Sequence, residues 1–182
     1  MIAIMPSEFT QKLSELTFVT RSFAAGALVF ERGDEAKYFF RVESGLVHSL
    51  RRQEDGSEFI MQRAAVGDVL GDASLTHSTY HCAAVAVDPS ELALFSHREV
   101  QKFIAENGAI ARLYADHLAG ELRGARLRAE IVSLRKVSDR LDAWFAWNES
   151  YVPQKGKWNR VAGEIGVSPE ALYRELARRR KK

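Results

Sequence analysis

Two hydrophobic rhythms divide this chain. Between Phe23 and Phe95 apolar residues come in short or alternating runs: Leu28–Phe30, Tyr38–Val42, Leu46–Leu50, Glu58–Met61, Ala83–Val87 and Leu92–Phe95. Turn formers separate them at Gly26, Gly33-Asp34, Gly45, Asp55-Gly56, Gly67-Asp68 and Gly71. Strands this short, at roughly 8–12-residue spacing, predict an antiparallel sandwich, barrel or jelly roll. Asp55-Gly56 is a hairpin signal, because glycine tolerates the positive φ that a tight turn demands. Ahead of the strands, Ser7 to Leu16 reads as a short helix.

From His97 onward the spacing changes to three and four. His97 to Glu106 reads as a helix stopped by Asn107-Gly108. A long helix follows from Ala109 to Val132, with Ile110, Leu113, His117, Gly120, Gly124, Leu127 and Ile131 in one stripe, flanked by Leu118 and Leu122. Two glycines in that seam suit close approach of a second helix; plain core is the other reading. A hinge is expected near Ser133 to Lys136, then a helix from Val137 to Trp147 and a polar loop, Asn148 to Lys157. Two further helices, Trp158 to Ile165 and Pro169 to about Arg179, meet at Gly166. Glycine turns such a corner without penalty, Ser168 is a natural N-cap and Pro169 a natural first helical residue. This is the spacing of a helix-turn-helix, which presents its second helix to the DNA major groove.

Composition narrows the class. The 182 residues are 46% apolar and 27% charged, ordinary for one large or two small globular domains. No apolar run approaches the ~20 residues of a membrane span. Met1-Ile-Ala-Ile-Met5 lacks the basic flank of a signal peptide, so the expected location is cytoplasmic, with no membrane partner. The one cysteine, Cys82, excludes an intrachain disulfide framework and a four-cysteine metal or iron–sulfur site. The net charge of +2 conceals an asymmetry: residues 1–119 hold 11 Lys/Arg against 16 Asp/Glu, and residues 120–182 hold 15 against 8. The basic half is where a polyanion would bind, unless its helices are simply solvated surface.

The front half resembles the cyclic-nucleotide-binding-type sensor domain of the catabolite activator/FNR (CRP/FNR) superfamily of bacterial transcription regulators. The resemblance lies in the order and spacing of Phe23-Ala-Ala-Gly26, Phe30-Glu-Arg-Gly-Asp34, Val42-Glu-Ser-Gly-Leu-Val47, Asp55-Gly56 and Gly67-Asp-Val-Leu-Gly-Asp-Ala-Ser-Leu75. Val137-Ser-Asp-Arg-Leu141 is similar to the opening of the family's DNA-binding domain. The implied fold is α+β, with three parts. Residues 1–107 would be an N-terminal antiparallel β-roll (jelly-roll) sensor. Residues 108–135 would be a dimerisation helix and hinge, and 136–182 a helix-turn-helix domain without the full wing that family members carry.

Family members that bind cyclic nucleotides hold the phosphate with an arginine and backbone amides, and the ribose with a glutamate. The matching positions here are Gly71, Asp72, His81, Cys82 and Ala83, the implied effector pocket. Histidine replaces the phosphate arginine, cysteine replaces a hydroxyl, and Asp72 is one methylene short. Near Ala125 and Arg126 the family's polar adenine contacts are not matched either. Losing a bidentate arginine removes charge-assisted hydrogen bonds of about 1.5–3 kcal/mol apiece, so the expected effector is not cAMP. His77, His81 and Cys82 are also candidate metal or haem ligands. Against that, His81 and Cys82 point to opposite faces of a strand, and a packed cysteine beside a surface histidine is the simpler reading.

On the last helix Glu170, Tyr173, Arg174 and Ala177 share a face. Arginine donates bidentate to guanine O6/N7 and glutamate accepts from cytosine N4. The resemblance assigns base reading to Glu170 and Arg174 of Ser168-Pro-Glu-Ala-Leu-Tyr-Arg174, with Tyr173 beside them. Ser168, Arg160 and the tail from Arg178 to Lys182 are expected on phosphates. Leu176 is expected to face the core, with Glu175, Arg178 and Arg179 where apolar residues are common. The alternative is an ordinary helical hairpin with an exposed Glu–Arg pair.

The expected protein is therefore a dimeric DNA-binding transcription regulator, not an enzyme. Its partners would be double-stranded DNA, a second copy of the chain, RNA polymerase and an unidentified small-molecule effector. No catalytic or metal-binding residue is assigned and no cofactor is named. The rivals are a metal- or haem-binding sensor, a cupin-like metal enzyme, for which His48, His77 and His81 lack the required pattern, and a sensor that has lost DNA binding.

Overall fold

The computed structural model describes residues 7–54, 58–148, 152–153 and 158–180, with the side chain of Arg160 excepted. These fall into two compact units, one within 4–117 and the other within 118–182. The fold is α+β, as the resemblance implies.

The first unit opens on helix α1 (Glu8–Lys12), capped by Ser7 Oγ accepting from the Thr10 amide, and a 3-10 turn (Leu13–Glu15). Eight strands follow: β1 (Phe18–Phe23), β2 (Leu28–Phe30), β3 (Tyr38–Ser44), β4 (Val47–Arg52), β5 (Glu58–Ala64), β6 (Val69–Leu70), β7 (Ala83–Ala86) and β8 (Ser90–Ser96). They form two four-stranded sheets, ordered β1-β8-β3-β6 and β2-β7-β4-β5, antiparallel throughout. One core cluster joins residues of both sheets, including Phe30, Phe40, Val47, Leu70, Tyr80, Cys82 and Leu94. A second packs helices on the first sheet, through Phe9, Leu13, Phe39, Val69, Ala93, Phe95, Val100 and Ile110. Neighbours such as Phe39 and Phe40, or Leu94 and Phe95, face opposite ways, and both faces are covered. That double cover is why these strands read as continuous apolar runs rather than alternating ones.

All six expected strand cores are present. Two strands escaped the pattern. β1 is exposed along most of its length and mixes Thr20, Arg21 and Ser22 with Phe18 and Val19, so it carries no alternation. It is held by its register on β8, Phe18 opposite Phe95 through Phe23 opposite Ser90. β6 has only two residues. The Asp55-Gly56 turn lies outside the described residues, although β4 and β5 pair on either side of it, Arg52 opposite Glu58. Gly45 is a position only glycine can occupy. Its φ is +87°, and an added Cβ would overlap Ser90 and the Pro89 carbonyl.

Helix α2 (His97–Glu106) closes the roll, and α3 (Gly108–Ser133) runs for 26 residues, about 39 Å. Its first ten residues, to His117, belong to the first unit. In the second unit α4 (Val137–Trp147), α5 (Trp158–Glu164) and α6 (Pro169–Arg179) share a core with the end of α3. Ile131, Leu141, Trp144, Val161, Ala162, Ile165 and Leu172 are buried there, with Phe145, Trp158, Val167 and Leu176 packed around them. Most of the expected loop from Asn148 to Lys157 lies outside the described residues. Among the described residues no helix is long and apolar enough to cross a membrane.

Candidate functional site

The helix-turn-helix is built at Gly166. Its φ of +65° ends α5, and the Val167 amide donates to the Ala162 carbonyl at 2.9 Å, closing the Schellman pattern that left-handed residues allow. Two residues later Ser168 Oγ accepts from the Ala171 amide at 3.2 Å and Pro169 begins α6. Ala162 is fully buried where the two helices meet. Arg140 of α4 ties the corner down: its Nη1 donates to the Ile165 and Gly166 carbonyls at 3.0 and 2.8 Å, and its Nε to the Leu134 carbonyl at 2.6 Å.

Packing decides which side of α6 is left for a partner. Leu172 is buried and Leu176 half-buried against the core, while Glu170, Tyr173, Arg174, Ala177 and Arg178 are exposed. Tyr173 shows 44% of its surface to solvent. Arg174 has no hydrogen-bond or ion-pair partner among the described residues. The Glu170 carboxyl is held below the ordinary carboxylate range by Glu170's own backbone amide and by the Ser168 hydroxyl. A shallow hollow of about 440 Å³ runs beside this face, lined by Val137, Ala171, Arg174, Glu175, Ala177 and Arg178.

The sequence pattern missed what Glu175 does. It is 8% exposed and accepts from Arg178 Nε and Nη2, both at 2.8 Å, and from Arg179 Nε at 2.8 Å. Arg179 reaches on to Asp142 at 2.6 Å and to the Ser138 carbonyl at 2.9 Å, fastening α6 to α4. The Arg178 guanidinium, followed by Arg179, pulls the Glu175 carboxyl down to about 2 against the opposing effect of burial. An isolated Glu–Arg pair three apart is indistinguishable in sequence from a solvated one; only the burial of Glu175 separates them. The side chain of Arg160 and residues Lys181 and Lys182, all expected on phosphates, lie outside the described residues.

In the first unit the residues matched to an effector pocket converge on one short turn. Gly71, at φ +88°, precedes a 3-10 turn, Asp72–Ser74. Ser74 Oγ lies 3.1 Å from His81 Nδ1 and accepts from the His81 amide at 3.3 Å. Helices hold the turn from the other side: Tyr114 of α3 donates to the Asp72 carbonyl at 3.2 Å, and His97 Nε2 of α2 lies 3.2 Å from the Ser74 carbonyl. Burial pushes the His81 imidazole below its ordinary value, outweighing Asp72, while Arg51 and His77 push it the same way. The side chain is therefore neutral near pH 7 and supplies no fixed cation. Cys82 and Ala83 are buried, and Cys82 joins the core between the sheets, where burial raises its thiol. Among the described residues no group of three or more His, Cys, Asp or Glu side chains is placed to hold a metal ion.

Comparison with known proteins adds a domain match and relatives. Residues 20–107 match the cyclic nucleotide-binding domain. The chain is 28% identical over 139 residues to the cyclic AMP receptor protein of Thermus thermophilus, covering 76% of this chain and 63% of that protein. It is 23% identical over 164 residues to the fumarate and nitrate reduction regulatory protein of Yersinia pestis, covering 84% of this chain and 65% of that protein. The chain thus spans less than two thirds of the length of either relative. In fold it is similar to FixK2 from Bradyrhizobium japonicum, with a TM-score of 0.76 at 21% identity over 90% of this chain and 84% of that one. It is also similar to the c-di-GMP-responsive regulator CLP of Xanthomonas campestris, with a TM-score of 0.71 at 19% identity over 94% of this chain and 91% of that one. In its domain match, its relatives and its fold, the chain is similar to CRP/FNR-type transcription regulators.

Proposed function

We propose that this protein is a cytoplasmic, homodimeric regulator that binds double-stranded DNA through α6. The observation carrying this reading is the division of α6 into a core-facing side, Leu172 and Leu176, and an exposed side holding Glu170, Tyr173 and an Arg174 that has no partner among the described residues. An exposed guanidinium beside an exposed carboxylate offers a bidentate donor for guanine and an acceptor for cytosine. Ser168, Arg160 and Arg178, the last still 55% exposed at its side chain while paired with Glu175, take the phosphate-contacting roles, which position the helix without reading sequence. The domain scheme is a β-roll sensor over 1–107, a dimerisation helix and hinge over 108–135, and a DNA-binding domain over 136–182.

The dimer reading rests on α3. Leu118 and Leu122 are 37% and 51% exposed. A Cβ added at Gly120 or Gly124 would meet only arginine side chains of the same helix, at 3.9 and 3.5 Å. The chain's own packing does not require either glycine, whereas a second helix lying across them would. Two such protomers would present their α6 helices about 34 Å apart, one turn of DNA.

The effector reading places a ligand other than cAMP against the turn Gly71–Ser74 and His81, with Cys82 and Ala83 behind them. A neutral His81 does not replace a bidentate arginine. Ligand would act by favouring the arrangement of the two units that spaces the α6 pair for DNA. Regulation rather than catalysis is the proposed role, with RNA polymerase as a further partner.

The test is fluorescence anisotropy with a duplex selected from a random pool. Arg174→Ala is expected to weaken the selected duplex by about 1–3 kcal/mol, roughly 5- to 150-fold, and to relax its base preference, with the thermal midpoint unchanged. Equal loss on random duplex would recast Arg174 as a phosphate contact. No salt-dependent binding by the full chain would overturn the reading.

A further inference from the structure

We propose that Arg140 is a positioning residue that joins the end of α3 to the helix-turn-helix corner, so that the setting of the long helix fixes the entry of α6. The proposal rests on the DNA-binding reading for its consequence, but its structural content does not. The guanidinium donates to three carbonyls drawn from two places. Leu134 stands one residue past the end of α3, and Ile165 and Gly166 stand just past the end of α5. The last carbonyls of a helix lack intrahelical donors and carry the negative end of its dipole. One cation therefore caps two helix C-termini at once.

The contact is close-packed as well as hydrogen-bonded. A Cβ at Gly166 would come within 3.2 Å of Val132 Cγ1 and 3.4 Å of Arg140 Nη1. The last turn of α3, the guanidinium and the corner thus touch one another. Two residues beyond Gly166 lies Ser168, the N-cap of α6, so the corner sets where Glu170 and Arg174 begin. Arginine suits the task because its planar fork fixes several donors in one geometry; a lysine ammonium is a single point of charge on a flexible stem.

Arg140→Gln and Arg140→Lys in the full chain test this with two readouts. Amide hydrogen exchange followed by mass spectrometry is expected to quicken by about tenfold or more in peptides covering 132–136 and 165–171, with the β-roll unchanged, because local opening loses several hydrogen bonds. The preference for a selected duplex over a random one is expected to fall about tenfold while random-duplex affinity holds within about threefold, the mark of a misplaced reading helix. Should Arg140→Gln unfold the second unit, Arg140→Lys, which retains the charge, decides the matter. Unchanged exchange at 165–171 in a folded variant, or full rescue of both readouts by lysine, overturns the proposal. If the wild-type chain discriminates between no duplexes, the DNA-binding reading fails, and the exchange measurement still decides whether Arg140 couples α3 to the corner.

Discussion

Glu175 and Arg178 are locked together on the last helix by two 2.8 Å hydrogen bonds, while Arg174, one residue before Glu175, has no partner among the described residues. Two arginines on one short helix thus meet opposite fates. Glu175 faces inward, 8% exposed, and gathers Arg178 and Arg179 around it; Arg174 faces outward. The inward group holds the helix, and the outward one is exposed to solvent.

Acid should loosen that hold. The Glu175 carboxyl is depressed from 4.5 to about 2, so its contribution is complete above about 4.5 and lost as the pH falls toward 2. All three tryptophans, Trp144, Trp147 and Trp158, lie in the second unit, so their fluorescence reports its unfolding selectively. Glu175→Gln should cost about 1–2 kcal/mol at pH 7 by urea titration, narrowing toward zero near pH 2–3. A difference that does not change with pH would count against the ion pair as the cause.

Gly166→Ala should destabilise the same unit by about 1–2 kcal/mol, since alanine pays for the left-handed conformation and its methyl presses on Val132. Combining it with Val132→Ala removes the steric part. The double-mutant cycle should show a coupling of at least ~0.5 kcal/mol. Strict additivity would mean that the corner and the long helix are not in contact.

Leu122→Asp should break the proposed dimer without unfolding either unit. Leu122 is 51% exposed in the single chain, so a carboxylate there is harmless until a second helix covers it. Sedimentation equilibrium is expected to show a dimer for the wild type and a monomer for the variant, with the tryptophan unfolding curve retained. A monomeric wild type would remove the α3 interface.

Isothermal titration of the wild type with cAMP at about 1 mM should show no binding heat, because His81 stands at the position matched to the phosphate arginine. His81→Arg with Cys82→Ser should improve cAMP affinity by roughly ten- to 150-fold, the worth of charge-assisted bonds of about 1.5–3 kcal/mol. Tight binding by the wild type would show that the Gly71–Ser74 turn and its neighbours suffice without arginine.

The strands that read clearly from the sequence were those with at least one covered face. β3, β4, β7 and β8 carry their burial in their composition, since an apolar run between glycines has few other places to go. β1 did not read, because its stability lies in backbone pairing to β8, which any sequence can supply. The boundaries of α5 and α6 were legible because Gly166, Ser168 and Pro169 each act through local backbone conformation.

What the sequence determined by itself was local and periodic: eleven residues of α6 with an apolar side, a left-handed corner before them, a basic second half, and short strands between turn formers in the first. What the tertiary structure decided was which charges are committed. Arg140, Arg174, Arg178 and Arg179 look alike in one dimension. Only the folded chain brings the carbonyls of Leu134, Ile165 and Gly166 to the first, a buried Glu175 to the last two, and nothing among the described residues to Arg174. A guanidinium's role is set by the acceptors within about 3 Å of it, and those come from residues distant in sequence.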